Sequence, residues 1–430
     1  MQTTQTQIES PSLPQIPDYC VDIRDHGAVS DGQTLNTAAI AAAIAACAGA
    51  GGGRVLVPAG VWLTGPIHWR SRIELHLAEG AELRFSQRHE DYLPVVRQQR
   101  GGIVCMTYSP FLYAVDCEDI ALTGPGLCNG QGEAWWPWKK AQPGMNELIR
   151  MCAERVPLEQ RVFGTPEAGV RTDLCQFLDC RRVLIEDGTF IDSPAWTIHP
   201  VRCDDLTIRK VTVRNPERAP NTDGIDPDGC RRVLIEHCHV DTGDDGICLK
   251  SGWNEDGFEY GRPCEDVLIR HCTVLAAHGG FVIGSEVSGG IRNIHVHDCV
   301  FEGTAVGVRI KSKPGRGGFI RGILVERLHM RGIRREAILV TQRYNGNPHD
   351  RSPIDPDLPV TEIDDVSIRE IDCDGCGCSI RLHGLPSHPL QGIELADLNI
   401  RGAAEACELL NVADLRMGNS VLSLSTTLSQ

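Results

Sequence analysis

A short pattern recurs along most of the chain: an anchor residue, then apolar residues three and five places on, with polar residues alternating between them. It reads CEDIAL from Cys117, CRRVLI from Cys180, CDDLTI from Cys203, CRRVLI from Cys230 and CEDVLI from Cys264. It continues as IRNIHV from Ile291, IRGILV from Ile320, IDDVSI from Ile363 and LQGIEL from Leu390, nine copies in all. A period of two marks β-strands with one buried face. From Cys180 to Leu390 the copies lie 23, 27, 34, 27, 29, 43 and 27 residues apart, inside the interval of about 20–50 that signals solenoids and arrays. Strands at this period predict an all-β, single-stranded parallel β-helix, each coil stacked on the last at roughly 4.8 Å with inward side chains forming ladders.

One segment breaks the pattern. Gln33 to Gly53 carries no charge, and Ile40 and Ile44 keep helical spacing between an N-cap at Asn36 or Thr37 and a glycine stop at Gly49 to Gly53. This predicts a short capping helix that shields the first open edge of the stack. The longest departures from regular spacing are Asn129 to Asp173, Trp253 to Pro263 and Tyr344 to Pro359. Rich in Gly, Pro and charge, they read as loops leaving the coil. No linker or shift of composition divides residues 19–430, which are expected to form one domain. Residues 1–18, polar and with three prolines, are expected to be disordered.

Composition agrees with short elements and many turns: Gly is 45 of 430 residues and aromatics are 5%. Lys+Arg 42 against Asp+Glu 57 gives a formal charge of -15, which disfavours nucleic acid and acidic membranes as partners. The start, MQTTQTQIESPSLPQIPDYC, shows neither a basic nor an apolar leader region, so the expected location is cytoplasmic. Nineteen cysteines, an odd number, fit reduced thiols. The anchors among them take an inward place as small apolar residues. Cys373, Cys376 and Cys378 lack a second pair at zinc spacing and read as structural.

The chemistry concentrates in NTDGIDPDG, Asn221 to Gly229, and one coil later in TGDDGICLKSG, Thr242 to Gly252. Asp223 and Asp244 are 21 residues apart, about one coil, so their backbones are expected near 5 Å apart. Asp245 can share their face only if the backbone bends, which the flanking Gly243 and Gly246 would permit. Three carboxylates this close cannot all ionise freely, and one held as an acid beside ionised partners suits glycoside hydrolysis. Asp226 and Asp228 read instead as turn residues. On the following coils lie AHGG, Ala277 to Gly280, and RIKS, Arg309 to Ser312. Alternation puts Arg309 and Lys311 on one side of a strand, where they either hold the acids or receive an anionic substrate.

NTDG, GDD, HG and RIK, in this order, resemble the four signature motifs of the polygalacturonases, the family-28 glycoside hydrolases. DHGAVSDGQTLNTAAIAAAI and GGGRVLVPAG resemble that family's entry region, so the likeness spans most of the chain. The resemblance implies a right-handed β-helix that hydrolyses α-1,4-linked galacturonic acid of pectin, with inversion and with no metal or other cofactor. It implies Asp244 as general acid, and Asp223 with Asp245 as the pair that activates water. It implies that His278 supports the acid's hydrogen bonds and that Arg309 and Lys311 bind the uronate carboxylate next to the cleaved bond. Asn221 and Tyr344 carry over as substrate-binding residues. Ala277 stands where the family usually has Gly, and Gly246 where many members carry Cys or another small residue.

Loop length and the missing leader favour release from a chain end over internal cleavage. Trp135, Trp136 and Trp138 either stack on sugar or cover the coil. The competing readings are an endo-polygalacturonase, a rhamnogalacturonan or xylogalacturonan hydrolase, a calcium-dependent pectate-lyase-like enzyme, and an inert carbohydrate-binding solenoid. The expected partner is an acidic oligo- or polysaccharide, and oligomeric state is not legible.

Overall fold

The computed structural model describes residues 8–346 and 354–424. Strand after strand pairs in parallel with the equivalent strand of the next coil, which makes the chain a right-handed parallel β-helix. The repeat read from the sequence is its first face. Arg181–Glu186, Asp204–Arg209, Arg231–Glu236 and Cys264–Arg270 stack in register. Val183, Leu206, Val233 and Val267 form one inward ladder, and Ile185, Ile208, Ile235 and Ile269 another, all nearly inaccessible to solvent. The anchors Cys180, Cys203, Cys230 and Cys264 are fully buried at the corner where each strand begins. In the last coils the strands run on around the corners, as in Phe319–Thr341, Val366–His383 and Ile393–Leu410.

A third face carries its own ladder: Cys175, Ile198, Ile225, Ile247, Phe281, Val308 and Ile338 pair coil to coil. Where this face begins, its backbone presses against the core. A Cβ added at Gly224, Gly246, Gly280 or Gly307 would lie 2.5 Å from Val240 Cγ1, 2.4 Å from Val274 Cγ1, 2.4 Å from Phe301 Cγ and 2.5 Å from Met330 Sδ, respectively. Those four neighbours are one continuous row of the second face, made by His239–Asp241, Thr273–Leu275 and the later parts of Ile291–Glu302 and Phe319–Thr341. Gly246 therefore has no space for a side chain.

The predicted helix is α1 (Thr37–Gly49), which buries Ile40, Ala43, Ile44 and Cys47. Asn36 sits at the N-cap without capping. Its amide accepts from the Val29 N–H and donates to the carbonyls of Val29 and Leu63, so it ties the entry segment to the first coil instead. Of the N-terminal segment expected to be disordered, residues 1–7 lie outside the described residues. Residues 8–18 form neither helix nor strand, and their Ser12 and Gln15 N–H groups donate to Asp205 and Asp119.

The loops are more ordered than their composition predicts. The insertion Asn129 to Asp173 contains α2 (Pro143–Ala153), and Trp253 to Pro263 contains α3 (Asn254–Glu259). A hairpin of Val96–Arg100 and Ile103–Thr107 joins them. Its Gly101–Gly102 turn, both residues at positive φ, was a legible signal that the repeat pattern obscured. Ile103, Cys105, Leu148, Cys152, Phe163 and Val170 give these insertions a small core of their own. A buried ion pair, Arg161 Nη1 to Asp256 Oδ2 at 2.7 Å, clamps α3 to it. The third loop's centre, 347–353, lies outside the described residues.

Candidate active site

The four motifs meet on the third face. Asp245 opens the strand Asp245–Leu249, and Asp244 occupies the bend before it, so adjacent residues face one cleft. The bend does not depend on left-handed glycine: neither Gly243 nor Gly246 has a positive φ. Gly243 is instead required for close approach, since a Cβ there would meet the carbonyl oxygens of Pro216 and Ala219 at 2.7 Å. Bridges pair Ile225 with Ile247 and Asp228 with Lys250, one residue longer than the 21-residue spacing from Asp223 to Asp244. Asp223 is thus in register with Asp245 rather than Asp244. The bend still gathers all three, with one oxygen of each carboxylate within 4.8 Å of the others.

Their surroundings differ. Asp245 is 1% exposed and held by two cations, Lys311 Nζ at 2.6 Å from Oδ2 and Arg309 Nη1 at 3.2 Å from Oδ1. Burial works to raise its pKa, but Lys311, Arg309 and Lys250 together hold it well below the usual carboxylate range. Asp223 is 3% exposed and has only Lys250 at 3.4 Å, a longer contact than either of Asp245's, so burial and the neighbouring Asp244 prevail and push it up to about 7. Asp244 keeps part of its side chain open to the cleft and accepts the Asp245 N–H at 2.9 Å. His278 donates its backbone N–H to the Asp244 carbonyl, and its half-exposed ring lies 3.1 Å from Asp244 Oδ1, which raises its pKa.

Asn221, at φ 56°, accepts from Arg171 Nη2 at 2.7 Å and lines the cleft. The Tyr344 ring lies 4.8 Å from Lys311 Nζ and 5.4 Å from Arg309 Cζ. Asp226 and Asp228 are not turn residues. Both are buried, because this stretch continues the third face as extended chain bridged to its neighbours. Asp228 accepts from the Gly252 N–H and from Gln99. Trp135 packs on His89, Tyr92 and Phe111, and Trp136 bonds the Ser193 carbonyl, so these two cover the coil. The aromatic walls of the cleft are Trp196 and Trp253.

Sequence reasoning missed Lys250, Glu286 and Arg316. Lys250 is 2% exposed, and its Nζ lies 3.4 Å from Asp223 Oδ2. Arg316 stacks at 3.5 Å on the Trp253 ring. The cleft, about 360 Å³, sets Lys250, Arg309, Lys311, Lys313 and Arg316 against Asp223, Asp244, Asp245 and Glu286, a concentration of cations on a chain of charge -15. Three carboxylates this close are also a geometry that attracts a divalent cation. Here Lys311 and Arg309 already occupy both oxygens of Asp245, and Lys250 adds a third positive charge, so these residues do not fit such an ion. No helix among the described residues is long and apolar enough to cross a membrane.

Residues 169–421 match the model of the glycosyl hydrolases family 28. A probable polygalacturonase of Vitis vinifera is 33% identical over 399 residues, 90% of this chain and 75% of the relative. An exo-poly-alpha-D-galacturonosidase of Dickeya chrysanthemi is 26% identical over 76% of this chain, which spans 58% of that relative's length. The crystal structure of a hyperthermoactive exopolygalacturonase from Thermotoga maritima superposes with a TM-score of 0.88 at 36% identity, covering 95% of this chain and 94% of the other.

Proposed function

Because the chain belongs to family 28 of the glycosyl hydrolases, we propose that it hydrolyses α-1,4-glycosidic bonds between galacturonic acid residues of pectin or oligogalacturonides and releases galacturonate from a chain end. The observation that carries this reading is the meeting of Asp223, Asp244 and Asp245 with Arg309 and Lys311 in one cleft. Asp244, the most accessible of the three acids, protonates the leaving oxygen. Asp245 and Asp223, held deeper, activate the water. The ring of His278 at 3.1 Å supports Asp244. Arg309 and Lys311 hold Asp245 and offer their remaining donors to a uronate carboxylate, while Asn221 and Tyr344 bound the sugar's site.

Chain-end action is supported by the exo-acting Thermotoga and Dickeya proteins among the relatives. It is supported also by the insertions, whose small core packs against Trp253 at the cleft wall. Residues 19–430 act as one catalytic unit on this reading, since one core cluster runs from Val21 to Ala403. A reducing, cytoplasmic setting is supported by nineteen unpaired cysteines, with Cys20 and Cys407 exposed and the rest buried.

Product analysis on polygalacturonate and on trigalacturonate, with EDTA present, tests the proposal. Monomer alone, without the ultraviolet absorbance of unsaturated ends, is the expected result. A ladder of oligomers would make the enzyme endo-acting, and an EDTA-sensitive absorbance would make it a lyase. Absence of product would move the substrate to rhamnogalacturonan or xylogalacturonan. Asp244→Asn should remove activity without loss of folding, which separates an enzyme from an inert solenoid.

A further inference from the structure

Lys250 stands directly after the strand Asp245–Leu249, and its ammonium is shared among several acids rather than paired with one. Nζ lies 3.4 Å from Asp223 Oδ2, 3.4 Å from Asp226 Oδ1 and 3.5 Å from Glu286 Oε2, and 4.2 Å from the centre of the Trp196 ring. Three carboxylates divide one buried cation. Asp226 is wholly buried and neither of its oxygens makes a hydrogen bond among the described residues; Asp223 Oδ1 makes none either. Buried acids in this condition depend on the nearest positive charge.

We propose that Lys250 is a positioning residue for the hydrolysis, the shared counter-charge that fixes Asp223 in the acid cluster and sets which acid carries the cluster's proton. This rests on the reading of the cleft as a glycosidase site. The groups facing Lys250 and Asp223 come from several coils. Asp226 shares their immediate surroundings, Asp173 acts on it from the preceding side, and Asp244, Asp245 and Cys248 come from the same turn as Lys250. Glu286 follows the next strand and Lys311 ends the one after.

A general acid at Asp244 requires the cluster's proton on Asp244 while Asp223 is ionised. Burial and Asp244 favour the proton on Asp223, and Lys250 is the strongest influence opposing them. Turnover then runs through the arrangement of the shared proton in which Asp223 is ionised, and Lys250 raises its population by stabilising ionised Asp223.

The test is the pH profile of kcat/KM on trigalacturonate for the wild type and Lys250→Met. Loss of the ammonium should move the alkaline limb up by about one pH unit and lower the plateau about tenfold, with KM little changed. A lower plateau with an unmoved limb would make Lys250 merely structural, and a change confined to KM would make it a substrate contact; either overturns the proposal. Glu286→Gln supplies a variant of opposite sign, because it leaves more of the ammonium to Asp223 and should move the limb down. An unmoved limb there also counts against the proposal. Should the wild type be inactive on galacturonan, the functional reading fails separately. A double-mutant cycle of Lys250→Met with Asp223→Asn in Tm above neutral pH then remains decisive: strong coupling supports the pairing, and additive effects overturn it.

Discussion

Lys311 reaches back across two coils to Asp245, with its ammonium 2.6 Å from Oδ2 and both side chains almost wholly buried. A residue expected to greet the substrate's carboxylate is bonded to an acid of the site itself. Arg309 does the same at 3.2 Å.

Lys311→Ala should therefore do more than weaken substrate binding. Removing the ammonium leaves the buried Asp245 with Arg309 as its one remaining close cation, at a cost approaching the roughly 3–5 kcal/mol of a broken buried pair. The expected outcome is a fall in kcat of about a hundredfold or more together with a raised KM, read from initial rates on oligogalacturonides. A change in KM alone would mean that Asp245 does not depend on Lys311.

Asp223 binds its proton more tightly in the fold, up to about 7 against an ordinary value of 3.8. The stability this contributes is complete below the unfolded value and is lost as pH rises through the folded one. Asp223→Asn removes that loss. It should be more stable than the parent above neutral pH by about 1–3 kcal/mol, read as a higher Tm, and converge with it in acid, while being inactive. Equal Tm values at alkaline pH would show that Asp223 is not strained.

The first product should be the β-anomer of galacturonate, visible by proton NMR before mutarotation. The nearest oxygens of the three acids lie within 4.8 Å, closer than the roughly 6.5–9.5 Å between carboxyl groups usual in inverting glycosidases. Asp245 is nonetheless unsuited to attack carbon, because Lys311 and Arg309 occupy both of its oxygens. An α-anomer appearing first would assign a covalent intermediate to one of the deeper acids.

Thiol titration of the native protein should find Cys20 and Cys407 and little else, with the remaining cysteines reacting only after unfolding. Burial also suppresses thiolate formation, as at Cys105 and Cys128, whose pKa values are pushed up to about 12. Rapid reaction of many more thiols would mean that the core ladders open readily.

The first face was fully legible, because a strand with one buried side writes its period into the sequence: Val183, Leu206, Val233 and Val267 fall where the repeat puts them. The acids and the Arg309–Lys311 pair were legible as motifs. Their relations were less so, since register depends on how each corner is turned, and one residue there decided that Asp223 stands beside Asp245. Asp226 and Asp228 were misread because polar residues amid glycine and proline look like a turn until the neighbouring coils are seen to bury them. Lys250 carried no signal of its own; its meaning lies in Asp223 and Glu286, each brought in by a different coil.

The row Val240, Val274, Phe301 and Met330 is buried in the core behind the cleft, yet it sets how far forward each strand of the third face stands. Val274 abuts the backbone of Gly246, one residue from an acid whose contacts with Lys311 and Arg309 are 2.6 and 3.2 Å. One additional methylene at Val274, harmless by hydrophobicity, would press on that backbone. Side-chain size in the core is thus coupled to the face in front of it, and what Val274 can become is bounded by the tolerances of the chemistry beside Gly246.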